Sequence, residues 1–197
     1  MRLRFYILLS LSIALHVVPC NAQDRSDSER NREYKIKAAF LYNFIKFVDW
    51  PEEKVADPNE PIVIGIVGKY PFGDAFEPIT KKQIKGRNGL IKRFEDVEKL
   101  KKGKTDKSAV ESLRQCHLIF ICSSEKENLA DIVNLVDKHG VLTVGETPNM
   151  IKSGGMINFV VEENKVRFEI NLTAAKNNRI KIRSQLLRLA KKVIEEK

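Results

Sequence analysis

Three short polar clusters follow apolar runs in this chain and could meet to do chemistry: Gly68-Lys69-Tyr70, Ser123-Ser124-Glu125 and Gly145-Glu146-Thr147. If those runs are parallel strands, the clusters converge at their carboxyl ends, where open α/β sheets hold ligands. Hydroxyls, small glycines and two carboxylates would share one edge with the free N–H groups of the helix that Ser124 opens. Such an edge can bind a small polar molecule. The same residues also have a purely structural use, with Ser124 capping its helix, Gly145 turning the chain and Glu146 facing water. Both readings stand at this level.

Other chemistry is poorly represented. Gly65-Ile66-Val67-Gly68 with Gly73 lacks the spacing of a dinucleotide fingerprint, and no phosphate loop follows, so no nucleotide cofactor is expected. His117 lies within an apolar run and His139 at a helix end, neither in a metal-ligand spacing. The chain has no Gly-x-Ser-x-Gly elbow and no Cys-x-x-Cys. No nucleophile, base or metal set is visible, and an enzyme is not the expectation.

The elements that must position these clusters begin after a removable leader. Arg2 and Arg4 precede the apolar run from Phe5 to Val18, and Cys20-Asn21-Ala22 supplies small residues for cleavage. This is a secretory signal peptide over residues 1–22, cut after Ala22, and Pro19 disfavours acylation of Cys20 as a lipoprotein. No later run reaches the ~20 apolar residues of a membrane span. The expected location is the periplasm. Residues 23–33 are polar, charged and without periodicity, which reads as a flexible tether.

The remaining residues, 34–197, read as one domain. From Tyr34 a helix presents Ile36, Phe40, Leu41, Phe44, Ile45, Phe47 and Val48 on one broad arc, with Lys35, Tyr42, Lys46 and Asp49 opposite. It ends at Asp49-Trp50-Pro51, and Trp50 is expected as a core plug. Strands follow at Ile62–Gly68, Gly89–Phe94, Leu118–Cys122 and Val141–Val144. Helical segments are expected at Pro71–Ile79, Glu95–Leu100 and Ser124–Lys138, the last opened by a capping-box spacing and closed by Gly140. Ile157–Val161 and Val166–Leu172 form a hairpin across Glu162–Lys165, with Asn164 left-handed. Ala174–Asn178 and Leu186–Ile194 are expected as helices. The fold class is α/β: a single-domain, mainly parallel mixed sheet with helices on both faces and a C-terminal antiparallel hairpin plus helix.

Charge and cysteine add limits. The formal net charge of +9 falls to +7 without Arg2 and Arg4. Between Lys81 and Lys107 eleven basic residues face four acids. That tract is either a solvated surface or a footprint for an acidic partner domain or anionic headgroups. Export excludes nucleic acid as a partner. Cys116 and Cys122 span about 20 Å if they share a strand, beyond the roughly 7 Å a disulfide allows. No disulfide is expected within the chain; buried thiols or an intermolecular bridge remain.

Several stretches, in order, resemble one family. They are Tyr34–Phe44 running to Trp50-Pro51, Ile64-Gly65-Ile66-Val67-Gly68 followed by Pro71-Phe72-Gly73, and Cys116–Ile121. Gly154-Gly155-Met156-Ile157-Asn158-Phe159, Arg167–Asn171 and Leu186-Leu187-Arg188-Leu189-Ala190 complete the set. The pattern is similar to the YfiR family of exported bacterial proteins. The resemblance implies a periplasmic repressor that binds the periplasmic part of an inner-membrane sensor, usually a diguanylate cyclase. It further implies release by an outer-membrane lipoprotein, control of cyclic di-GMP and biofilm formation, and a homodimer. Other members accompany sensor kinases or TonB-dependent receptors, which makes a small-molecule-binding protein the alternative. No interface residue carries over by motif.

Overall fold

The computed structural model describes residues 22–95 and 107–195. The expected signal segment up to Asn21, residues 96–106 of the basic tract and with them most of the helical turn expected at Glu95–Leu100 lie outside those residues. Strands form at β1 (Val48–Asp49), β2 (Ile62–Val67), β3 (Gly89–Phe94), β4 (Leu118–Ile121) and β5 (Leu142–Gly145). Then come β6 (Ile157–Glu162), β7 (Lys165–Asn171), β8 (Lys181–Ile182) and β9 (Lys192–Ile194). Seven of them make one sheet in the order β3-β2-β4-β5-β6-β7-β9. Pairing is parallel from β3 through β6, antiparallel between β6 and β7, and parallel again between β7 and β9. The expected mixed α/β sheet is what forms.

Each sheet face carries its own core. On one face the long helix α1 (Ala22–Lys46) lays Ala38, Leu41, Phe44 and Ile45 against Ile64, Phe120, Phe159 and Phe168. Phe44 stacks on Phe159 at 5.5 Å and meets Phe168 edge-on at 5.0 Å. The other face is covered by helices Lys107–Arg114 and Leu129–Leu135, which bury Leu113, Leu129, Ile132 and Val133 over Ile119 and Ile121. Strands β4 and β5 are buried at every position because both faces are covered.

Several expectations are corrected. Residues 23–33 are not a tether but the first half of α1. Polar on every side, they carry no apolar period, yet they continue a helix already nucleated by the buried half, aided by the Arg30–Asp27 pair one turn apart. The helix also stops sooner than expected, because Val48–Asp49 leave it to pair with β8. Pro71–Ile79 is mostly turn, with one helical turn at Glu77–Thr80. Ser124 opens no long helix: residues 123–125 form a single 3-10 turn, its side chain caps nothing, and the α-helix starts at Leu129.

Leu186–Ile194 is the clearest miss. Helix occupies only Ser184–Leu187. The Lys191 N–H then donates to the Phe168 carbonyl at 2.8 Å, and Lys192–Ile194 complete the free edge of β7. Leu189 is left 67% exposed, so the apolar run that suggested a helix is not one buried stripe. Trp50 does plug the core, its indole N–H donating to the His117 carbonyl at 2.9 Å. The hairpin closes as expected, with Glu163 as well as Asn164 at positive φ (49° and 59°).

Candidate functional site: the carboxyl edge of the parallel strands

The three polar clusters do lie along one edge, but they close into two separate knots. In the first, Glu146 leaves the end of β5 and is almost wholly buried, with its side chain 6% exposed. Its carboxylate accepts from the Tyr34 hydroxyl at 3.1 and 3.2 Å, from Lys37 Nζ at 2.6 Å and from the Ser123 N–H at 3.0 Å. Lys37 is equally buried, pairs also with Glu33, and sits 4.7 Å from the Tyr34 ring centroid. Glu146 therefore does not face water. It clamps α1 to the ends of β4 and β5.

In the second knot the Lys69 N–H donates to Ser124 Oγ at 3.0 Å, and Ser124 Oγ donates to Glu125 Oε1 at 3.1 Å. Asn128 holds the other carboxylate oxygen at 2.9 Å. Gly68 permits this with φ at 98°, and a Cβ there would sit 2.5 Å from Ser124 Oγ. Tyr70 turns away and lies under the Arg93 guanidinium, 3.7 Å from its ring centroid. Gly145 packs on Met150, and Thr147 is buried with its hydroxyl unpartnered. The structure thus joins Ser123 to Glu146 and Gly68-Lys69 to Ser124-Glu125, and it spends the two carboxylates on internal hydrogen bonds.

Sequence reasoning missed Tyr34, Lys37 and Glu33 as partners of this edge. One signal was present. Lys37 lies one turn before Leu41 on the buried arc of α1, and a lysine on such a face needs an acid.

Burial sets Tyr34, Cys122, Cys116 and His117 toward their neutral forms. Burial, then the Glu146 carboxylate, pushes the Tyr34 phenol well above its usual range. Burial, then Glu146 and Glu125, pushes the Cys122 thiol up to about 12, and burial takes Cys116 to about 11. Both cysteines are free and belong to cores on opposite faces of the sheet. Thiols of this kind are poor nucleophiles. His117 accepts the Val63 N–H on Nδ1 at 3.1 Å, and burial, reinforced by Lys54 and Arg87, lowers it to about 4.

That shift has a stability consequence. The folded chain binds the His117 proton more weakly than the unfolded chain does. Its contribution is complete above pH 6.5 and is lost as pH falls from 6.5 toward 4, by roughly 3 kcal/mol in all. Denaturant unfolding at pH 4.5 and 7 is expected to show this loss, and His117→Phe should flatten the slope. An equal slope in the variant would contradict it.

The described part of the basic tract is also largely engaged. Lys85 bonds the Val48 carbonyl and pairs with Asp49 at 3.4 Å, Arg87 donates to the Val55 carbonyl at 2.6 Å, and Lys92 bonds Ser112. Among the described residues no group of three His, Cys, Asp or Glu could hold a metal, and no helix is long and apolar enough to cross a membrane.

Ordered resemblance, a parallel sheet capped by a hairpin and a neutralised edge now meet an independent observation: a model of the YfiR/HmsC-like family matches residues 34–191. The chain belongs to the YfiR/HmsC-like family. At family level such proteins are periplasmic regulators of diguanylate cyclase signalling rather than catalysts. No curated protein matches this member. Among solved structures it is similar to a conserved domain protein from Vibrio cholerae O1 biovar eltor str. N16961, at 12% identity and TM-score 0.47. That match covers 68% of this chain and 55% of the other. An ABC domain in complex with L-Trp from Streptococcus pneumonia gives 12% identity and TM-score 0.48, over 67% of this chain and 55% of that one. The YfiR/HmsC-like chain spans about half the length of each, and likeness at this level carries no functional weight.

Proposed function

We propose that this YfiR/HmsC-like protein is a periplasmic repressor that binds the periplasmic part of an inner-membrane diguanylate cyclase and holds down cyclic di-GMP synthesis. The family match over residues 34–191 carries the reading. The edge supports it: Glu146 is taken up by Tyr34 and Lys37 of α1, Glu125 by Ser124 and Asn128, and burial keeps the Cys122 thiol protonated, an arrangement suited to a surface that docks rather than to a centre that reacts. An outer-membrane lipoprotein that sequesters the repressor and a homodimeric state complete the proposal. The signal peptide is removed after Ala22, so N-terminal sequencing of the exported protein should begin at Gln23. Calorimetric titration of the exported protein with the soluble periplasmic portion of the cyclase tests the central contact. Saturable binding is the expected result, and no heat at any concentration would remove the reading.

A further inference from the structure

Strand β6 is longer than the neighbour that covers it. Its pairing with β5 involves only Ile157 and Asn158, whereas its pairing with β7 runs from Ile157 to Glu162. From Phe159 onward one long edge of β6 therefore has no strand beside it among the described residues. The direction of its backbone groups follows from the hairpin. Glu163 and Asn164, both at positive φ, form a two-residue loop, so Glu162 and Lys165 exchange both backbone bonds. The same holds for Val160 with Arg167 and Asn158 with Glu169, two and four residues back. Phe159 and Val161 must then turn their N–H and C=O groups away from β7. Two observed bonds agree: Asn171 N–H donates to the Met156 carbonyl, and the Phe168 carbonyl points away from β6 to receive Lys191.

Those outward groups border a cavity of about 480 Å³ lined by Tyr34, Lys37, Pro148, Asn158, Val160 and Val161. Its charges are already paired, Lys37 with Glu33 and Glu146, and apart from Ser123 and Asn158 its remaining walls are apolar or aromatic. Val161 is 50% exposed, one of the few large apolar side chains left open. Spent charges offer little to a charged small molecule. Two sets of backbone donors and acceptors about 6.8 Å apart instead match the repeat of an extended chain.

We propose that an extended, apolar segment of the protein partner adds to the Phe159–Val161 edge as an extra strand in line with β5, held by backbone bonds and by apolar side chains against Tyr34 and Pro148. The proposal rests on the regulator reading and deepens it by placing the partner's contact.

The test uses the full exported chain and random seven-residue peptides displayed on phage. Enriched peptides should be rich in β-branched and aromatic residues. Val161→Pro deletes an N–H that makes no bond within the hairpin, and it should weaken the peptides at least about tenfold, as loss of a backbone bond in an apolar groove does. Val161→Thr keeps the N–H and should bind like the parent. N-methylation of alternate peptide amides, which leaves the protein untouched, should abolish binding in one register and spare it in the other. Failure to enrich any peptide, equal binding by Val161→Pro, equal effects of both N-methylated registers, or a change of self-association in place of peptide binding would each overturn the proposal. A Val161→Pro chain that loses the peptides yet still controls cyclic di-GMP overturns the placement alone and leaves the regulator reading intact.

Discussion

Glu146→Ala is expected to cost the fold about 3–5 kcal/mol, the usual range for removing one partner of a buried ion pair. The carboxylate holds three groups at once: the Lys37 ammonium, the Tyr34 hydroxyl and the Ser123 N–H. Without it Lys37 keeps only Glu33, whose side chain is 32% exposed, and the half-buried Tyr34 hydroxyl and the Ser123 N–H lose their acceptor. In a chain of this size the unfolding midpoint should fall by roughly 10 °C. Hydrogen exchange should rise first in the turn of α1 around Tyr34, since that turn is tied to the sheet edge by this clamp. The double variant Lys37→Met with Glu146→Leu should recover most of the loss, because an apolar pair of similar volume avoids the desolvation of both charges. A loss below about 1 kcal/mol in Glu146→Ala would mean that the clamp is solvated and the edge open.

Gly68→Ala is the second large effect. The added Cβ would stand 2.5 Å from Ser124 Oγ and 2.6 Å from Glu125 Cγ, with φ at 98°. Backbone strain of about 1–3 kcal/mol adds to the loss of the Lys69–Ser124 bond, worth about 1 kcal/mol. Gly73→Ala is the internal comparison: its φ is also positive, at 51°, but nothing lies within 4 Å of a Cβ there. That variant should lose only about 1 kcal/mol. Denaturant unfolding of the two variants side by side checks the difference, and equal losses would show that the Ser124 contact contributes nothing.

How far these features were legible depends on the range of the interaction that makes them. The buried half of α1, the strands and the hairpin announced themselves, because apolar period and turn chemistry are local. The polar half of α1 did not: nothing in residues 23–33 distinguishes a solvated helix from a tether until the downstream turns nucleate it. Helix Lys107–Arg114 starts where the basic tract ends, and among the described residues Val110 and Leu113 are its buried apolar anchors. β9 was read as helix because Leu186, Leu187 and Leu189 suit a helix locally, and only the free edge of β7 decides otherwise.

The site divides along the same line. That Ser123 and Glu146 share an edge follows from strand order alone. That the edge is filled from above by Tyr34 and Lys37, more than a hundred residues away in sequence, is a tertiary fact. Ser124 shows the limit of a spacing rule: its hydroxyl met the requirement for a cap and was taken by the Lys69 N–H instead.

The most direct measurement is cyclic di-GMP in cells. Deleting the gene should raise the intracellular level several-fold, and supplying the intact chain in trans should restore it. A chain confined to the cytosol by removal of residues 1–22 should not restore it. An unchanged cyclic di-GMP level on deletion, or full restoration by the cytosolic chain, would contradict a periplasmic repressor.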